Sequence, residues 1–137
     1  MGFLIDTCIW IDIERGRLDR SEIYAITRQE PVFLSPVNIA EITYGIALLS
    51  DPTRKAKAKD ALRCMKRKPT IRITNETAEI FGAIAAELNR RGRAHACRVQ
   101  DLWLASQAIQ RDFSLITANA GDFQDLPGLR CVVLPAP

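Results

Sequence analysis

Four carboxylates stand in places where a carboxylate needs a reason. Asp6 follows directly on the short apolar run Phe3-Leu4-Ile5. Glu41 falls in a helical stretch opened by Ser35-Pro36, on a face it shares with Val37, Tyr44, Gly45 and Leu48. An unpaired carboxylate on an apolar face is expensive, so a metal, a cationic partner or a proton must offset it. Asp101 begins Asp101-Leu102-Trp103-Leu104-Ala105-Ser106, with Leu104, Ala105 and Ala108 as its helical neighbours. Asp122 lies with Asn119 in the loop that follows a strand ending at Thr117. Three of these acids also have a plain structural reading. Asp6 can cap the next helix, Asp101 can sit favourably in a first helical turn, and Glu41 can belong to an ion pair. Taken together they suggest one chemistry. Carboxylates gathered at one edge repel unless a cation neutralises them, and oxygen-only donors suit Mg²⁺ or Mn²⁺. Beside a basic patch, such a site points to phosphodiester hydrolysis.

Positioning these groups requires strands that end where the acids begin. Phe3–Ile5 reads as a strand, followed by a helix over about 7–15 that Gly16 stops and a second over about 19–29. Val32-Phe33-Leu34 is a second strand. Ser35 as N-cap and Pro36 at the first helical position start a helix running to about Leu49, with Gly45 calling for a close backbone neighbour. A basic helix follows over about 53–68, stopped by Pro69, and Ile71-Arg72-Ile73 is short and β-like. Thr74 or Asn75 can cap the next helix, whose Ala78, Phe81, Ile84, Ala85 and Leu88 keep helical spacing. A helix over about 100–111, a strand at Ser114–Thr117 and a last strand at Cys131–Leu134 complete the chain. Short apolar strands alternating with helices indicate an α/β fold, a three-layer α/β/α arrangement on a mainly parallel sheet. Residues 1–137 read as a single domain, since no linker, repeat or low-complexity segment interrupts them.

Composition narrows the classes. At 137 residues and 47% apolar content the chain can bury one core. It lacks a long apolar run or a signal-peptide pattern, which predicts a cytoplasmic protein with no membrane role. Cys8, Cys64, Cys97 and Cys131 form no C-x-x-C pair, and His95 is the sole histidine, so zinc is poorly supported and the thiols are expected to be reduced. Net charge is only +3, yet residues 54–72 hold nine bases and one acid. This block either attracts a polyanion or is a solvated helix face. Trp10 and Trp103 read as core residues rather than stacking platforms.

Four segments resemble the PIN-domain family, and within it the VapC-type toxins and FitB-like proteins. They are Leu4-Ile5-Asp6-Thr7-Cys8-Ile9-Trp10-Ile11, Ser35 through Ile46, Asp101-Leu102-Trp103-Leu104-Ala105, and Thr117 through Phe123. The resemblance implies a Mg²⁺-dependent endoribonuclease, dimeric, held inactive by an antitoxin, and reaching operator DNA only through that antitoxin. It implies metal ligation by Asp6 and Asp101, with Glu41 and Asp122 completing the catalytic acids. Thr7 and Thr117 match the family's supporting hydroxyls and Asn119 its accompanying polar residue. Two positions depart from the pattern. Some members place an acid where Asn119 stands, which puts the fourth carboxylate and a second metal ion in question, and Ser106 replaces a smaller residue. Lys66, Arg67 and Lys68 are candidate RNA contacts drawn from the basic block, not from the family pattern. Rival classes fit less well. A haloacid-dehalogenase phosphatase needs an aspartate where Cys8 stands, and a receiver domain needs a lysine beyond Lys68, where none occurs. A non-catalytic module acting in an antitoxin complex is the alternative outside the enzymes.

Overall fold

A computed structural model describes residues 1–93 and 98–135. In chain order the elements are β1 (Phe3–Ile5), α1 (Thr7–Glu14), α2 (Arg20–Thr27), β2 (Val32–Phe33), α3 (Pro36–Ala47) and α4 (Pro52–Met65). After these come α5 (Asn75–Arg90), α6 (Val99–Arg111), β3 (Ser114–Thr117), α7 (Ala120–Phe123) and β4 (Arg130–Val133). The strands form one sheet of order β2-β1-β3-β4, and every pairing is parallel. The chain therefore leaves β1 to one side to make β2 and returns to its other side to make β3. Such a reversal of direction opens a crevice beyond the carboxyl ends of the strands.

Alternation along the strands divides the core between the two faces. Leu4 and Leu115 pack with Ile84, Leu88, Leu102 and Ala105 of α5 and α6. Their neighbours Ile5 and Ile116 point the other way, onto Ile9 and Trp10 of α1 and Ile42 and Ile46 of α3. Side chains of successive strand residues alternate between faces, so helices must cover both, and the expected three-layer α/β/α arrangement results. Trp10 is buried in the second cluster. Trp103 is half-buried and lies tilted against Phe81, ring centroids 4.4 Å apart.

Local chemistry fixes the helix starts. Ser35 Oγ accepts from Val37 N at 3.0 Å while Asn38 Oδ1 accepts from Ser35 N at 2.9 Å, a reciprocal cap over Pro36. Thr74, not Asn75, caps α5. Three expectations shift. The β-like stretch after Pro69 reduces to a single parallel bridge between Leu34 and Thr70, because Leu34 N donates to Pro69 O and Ile71 N to Leu34 O before the chain turns away. The last strand begins one residue early, at Arg130. A Cβ on Gly45 would meet no atom within 4 Å, so no close neighbour among the described residues explains this glycine. Cys8, Cys64 and Cys131 are free thiols, as expected; Cys97 and His95 lie outside the described residues.

Candidate active site

β1 ends at Ile5 and β3 at Thr117 on adjacent parallel strands, which brings Asp6 and Thr117 side by side. Asp6 occupies the N-cap position of α1, yet its side chain makes no capping bond. Its carboxylate turns to the crevice instead. Thr117 Oγ1 donates to Asp6 Oδ2 at 2.8 Å, and the Cys8 thiol donates to the same oxygen at 3.4 Å. Asp6 is 6% exposed and Thr117 fully buried. Burial and the Asp6 charge push the Cys8 thiol up to about 12, so it stays protonated and serves as a donor. Asn119 N donates to Thr117 Oγ1 at 3.0 Å, which fixes the start of the loop, while the Asn119 side chain is exposed.

Glu41 reaches the crevice from α3. Thr7 Oγ1 donates to Glu41 Oε1 at 2.7 Å. Asn38, fully buried one turn before Glu41, donates to Thr7 Oγ1 at 3.0 Å and to Ile5 O at 3.1 Å. Because that hydroxyl accepts from Asn38, its own hydrogen is free for Glu41. Burial raises the Glu41 carboxyl and Asp6 raises it further, against the lowering effect of the Thr7 hydrogen bond. The surrounding face is less apolar in its burial than the helical spacing suggests. Tyr44 and Leu48 are 68% and 67% exposed, and Gly45 is exposed. The buried side of α3 is Val37, Asn38, Ile42 and Ile46, and Glu41 lies half-buried at its margin.

Asp101 stands in the first turn of α6, and Asp122 in the short helix α7 rather than in a loop. Both are half-buried. The Asp101 carboxyl is pushed up to about 6, chiefly by burial, then by the negative charges of Asp6, Asp122 and Glu41. Asp101 thus feels the charge of the other three acids, and Glu41 that of Asp6. Sequence reasoning missed Asn38 and Arg98. An asparagine among apolar helical neighbours could have flagged the first. Arg98 donates through Nη1 and Nη2 to the two carboxylate oxygens of Asp125, at 3.0 and 2.8 Å, and through Nη2 to the Asp122 backbone carbonyl. Its charge partly offsets the repulsion on Asp101.

The donor set fits a hard divalent cation. It offers carboxylate oxygens, those of Asp6 and Glu41 supported by threonine hydroxyls, and Arg98 offsets only part of its negative charge. Among the described residues no group of three or more carboxylate, imidazole or thiol side chains is arranged to hold a metal ion. Mg²⁺ needs none, since it keeps several waters and takes one or two carboxylates.

The basic residues divide. Lys66, Arg67 and Lys68 are exposed just beyond α4. Lys68 precedes Thr70, the partner of Leu34, by two residues, which places it toward the amino end of the sheet and away from the acids. Arg54 and Lys57, earlier on α4, instead line a cavity of about 480 Å³ that Glu41 also borders. Trp10, Ile42, Ile46 and Leu62 give this cavity an apolar floor.

Comparison with known proteins agrees with this architecture. The chain is 25% identical over 136 residues to Ribonuclease VapC of Rickettsia bellii (strain RML369-C), covering 98% of both chains. It is 27% identical over 130 residues to Ribonuclease VapC5 of Mycobacterium tuberculosis (strain ATCC 25618 / H37Rv), covering 94% of this chain and 90% of the relative. Its fold matches a chain in the crystal structure of VapBC2 from Rickettsia felis bound to a DNA fragment from their promoter. There the TM-score is 0.83 at 20% identity, over 98% of this chain and 99% of the other. FitAcB from Neisseria gonorrhoeae is similar at a TM-score of 0.70 and 21% identity, over 94% and 95% of the two chains. The model of the PIN domain matches residues 3–129, and with the acids gathered beyond β1 and β3 the chain belongs to the PIN domain family.

Proposed function

We propose that this chain is a metal-dependent endoribonuclease, the toxin of a VapBC-type pair, using Mg²⁺ or Mn²⁺ at Asp6 and Asp101. The observation that carries the reading is the Asp101 carboxyl, raised to about 6 among Asp6, Asp122 and Glu41 at the carboxyl edge of a parallel sheet. Clustered carboxylates with perturbed protonation in a crevice mark functional sites more often than structural ones. The relatives named as VapC ribonucleases support the substrate class.

A bound divalent cation would supply charge stabilisation at the scissile phosphate and a more acidic water. The remaining work falls to the protein. Asp6 and Asp101 hold the ion, with Asp6 oriented by Thr117 and Cys8. Glu41, its orientation set by Thr7 and Asn38, takes the proton of the attacking water, a role that a raised carboxyl pKa suits. Asp122 completes the acidic edge. Phosphodiester cleavage then leaves a 5′-phosphate and a 3′-hydroxyl. Arg54 and Lys57 beside the crevice, or Lys66, Arg67 and Lys68 further off, hold the RNA backbone.

An antitoxin is the proposed regulator, as in the VapBC complexes of similar fold, and operator DNA is reached through it. The apolar cavity bordering Glu41 offers a surface that such a partner would cover. A homodimer assembled around exposed Tyr44 on α3 and Leu48 at its C-cap completes the assembly. No helix among the described residues is long and apolar enough to cross a membrane, and the cytoplasm, where RNA is plentiful, is the proposed location. The test is direct. Purified protein with Mg²⁺ or Mn²⁺ should cut single-stranded RNA, EDTA should stop it, and Asp6→Asn should abolish it. Cleavage that persists in Asp6→Asn, or none with either metal, overturns the reading.

A further inference from the structure

Arg98 is oddly placed for a cation. It occupies the N-cap position of α6 without a side-chain capping bond, where the helix dipole disfavours positive charge. Its side chain is only 13% exposed, and Nε is buried with no hydrogen-bond partner among the described residues. Buried groups left unpaired in this way carry a cost that a fold keeps for a reason. Both terminal nitrogens of the guanidinium are engaged. It forks onto both oxygens of Asp125, itself 15% exposed, and reaches the main-chain carbonyl of Asp122. Arg93 Nη1 adds a second cation to Asp125 at 3.0 Å. Asp101 lies three residues along α6 from Arg98, on neighbouring positions of one helical face.

One side chain therefore joins the first turn of α6, which carries Asp101, to α7, which carries Asp122. α7 spans only Ala120–Phe123, about one turn, anchored in the core by Phe123. We propose that Arg98, locked by Asp125, is a positioning residue of the acidic site, setting Asp122 against Asp101 and thereby the affinity for a divalent cation. This inference rests on the metal-site reading given above. Geometry and charge make opposite forecasts here. A cation beside a metal site repels the metal, so a purely electrostatic Arg98 would weaken ion binding and its removal would tighten it. A positioning Arg98 would strengthen binding through the carboxylates it arranges. Groups that orient metal ligands typically matter by 10–100-fold in affinity.

The deciding variant is Arg98→Lys, which keeps the charge but cannot form the planar fork or reach both elements at once. Mn²⁺ affinity by calorimetric titration should fall about tenfold in Arg98→Lys. kcat on RNA should fall with it while KM changes little, because the RNA contacts lie elsewhere. Asp125→Asn, which leaves Arg98 in place but unlocks it, should reproduce the loss and keeps the test open if Arg98→Lys folds poorly. Wild-type Mn²⁺ affinity in a folded Arg98→Lys or Asp125→Asn protein overturns the proposal, as does tighter binding in Arg98→Met. If the wild type binds Mn²⁺ but cuts no RNA, the ribonuclease reading fails and the affinities alone decide the role of Arg98. If the wild type binds no Mn²⁺, both fall.

Discussion

Thr117 Oγ1 and Asp6 Oδ2 are 2.8 Å apart although 111 residues separate them in sequence. The bond spans the two central strands, so the acidic edge can form only once β1 and β3 pair. Replacing Thr117 with valine keeps the shape and removes the donor. Asp6 then loses a hydrogen bond to a charged group and the Asn119 N–H loses its acceptor. The expected cost is about 2 kcal/mol of stability, with cleavage at least tenfold slower. Thermal denaturation and RNA cleavage on one variant check both, and wild-type values in each would show that this bond matters little.

Asp101 makes stability depend on pH in a defined sense. Its folded carboxyl titrates at about 6, above the unfolded value of about 3.9, so the folded state binds the proton more tightly. That contribution is fully present below about pH 4 and is lost as pH rises through about 6. Metal-free protein should therefore lose melting temperature across this window, and Asp101→Asn should flatten the loss. The same substitution should hold or raise stability at neutral pH while cleavage falls at least a hundredfold. Full activity in Asp101→Asn would remove this residue from the site.

Gly45→Ala tests the open face of α3. A Cβ there meets nothing within 4 Å, and alanine gains roughly 1 kcal/mol over glycine inside a helix. The melting temperature of the isolated chain should rise about 3–5 °C. A fall would mean that the glycine faces something outside the chain, such as a second copy packed on Tyr44 and Leu48.

Lys66→Ala, Arg67→Ala and Lys68→Ala together test the distal basic cluster. If it grips RNA, the slope of log affinity against log salt should drop by about 2, near 0.7 per phosphate contact on a single strand. The rate on bound substrate should not move. An unchanged slope, with a lower one in Arg54→Ala/Lys57→Ala, would shift the RNA path to the cavity beside Glu41.

Much of the fold was legible because its signals are local. Ser35-Pro36 announced α3, Phe3–Ile5 and Ser114–Thr117 announced the central strands, and Asp6 stood directly after the first of them, though only the structure shows that it makes no capping bond. The less visible parts depend on distant residues. Arg98 meets Asp125 across 27 positions, and nothing in the spacing marks the pair. Asn38 stands out only as a polar residue among apolar helical neighbours, and its partners Ile5 and Thr7 lie more than thirty positions away. The exposure of Tyr44 and Leu48 was hidden for another reason: helical periodicity identifies an apolar stripe but does not say whether this chain covers it.

The pairing of β1 with β3 also orders events during synthesis. A ribosome makes Asp6 111 positions before Thr117, and at roughly 5–20 residues per second the interval lasts several seconds or more. Until then the nascent chain can hold Asp6, Glu41 and Asp101 but no complete β3 to close the crevice. On the proposed function, a cell translating this message is spared its activity until β3 has been made and has paired with β1. Premature termination before Ser114 would release a harmless fragment.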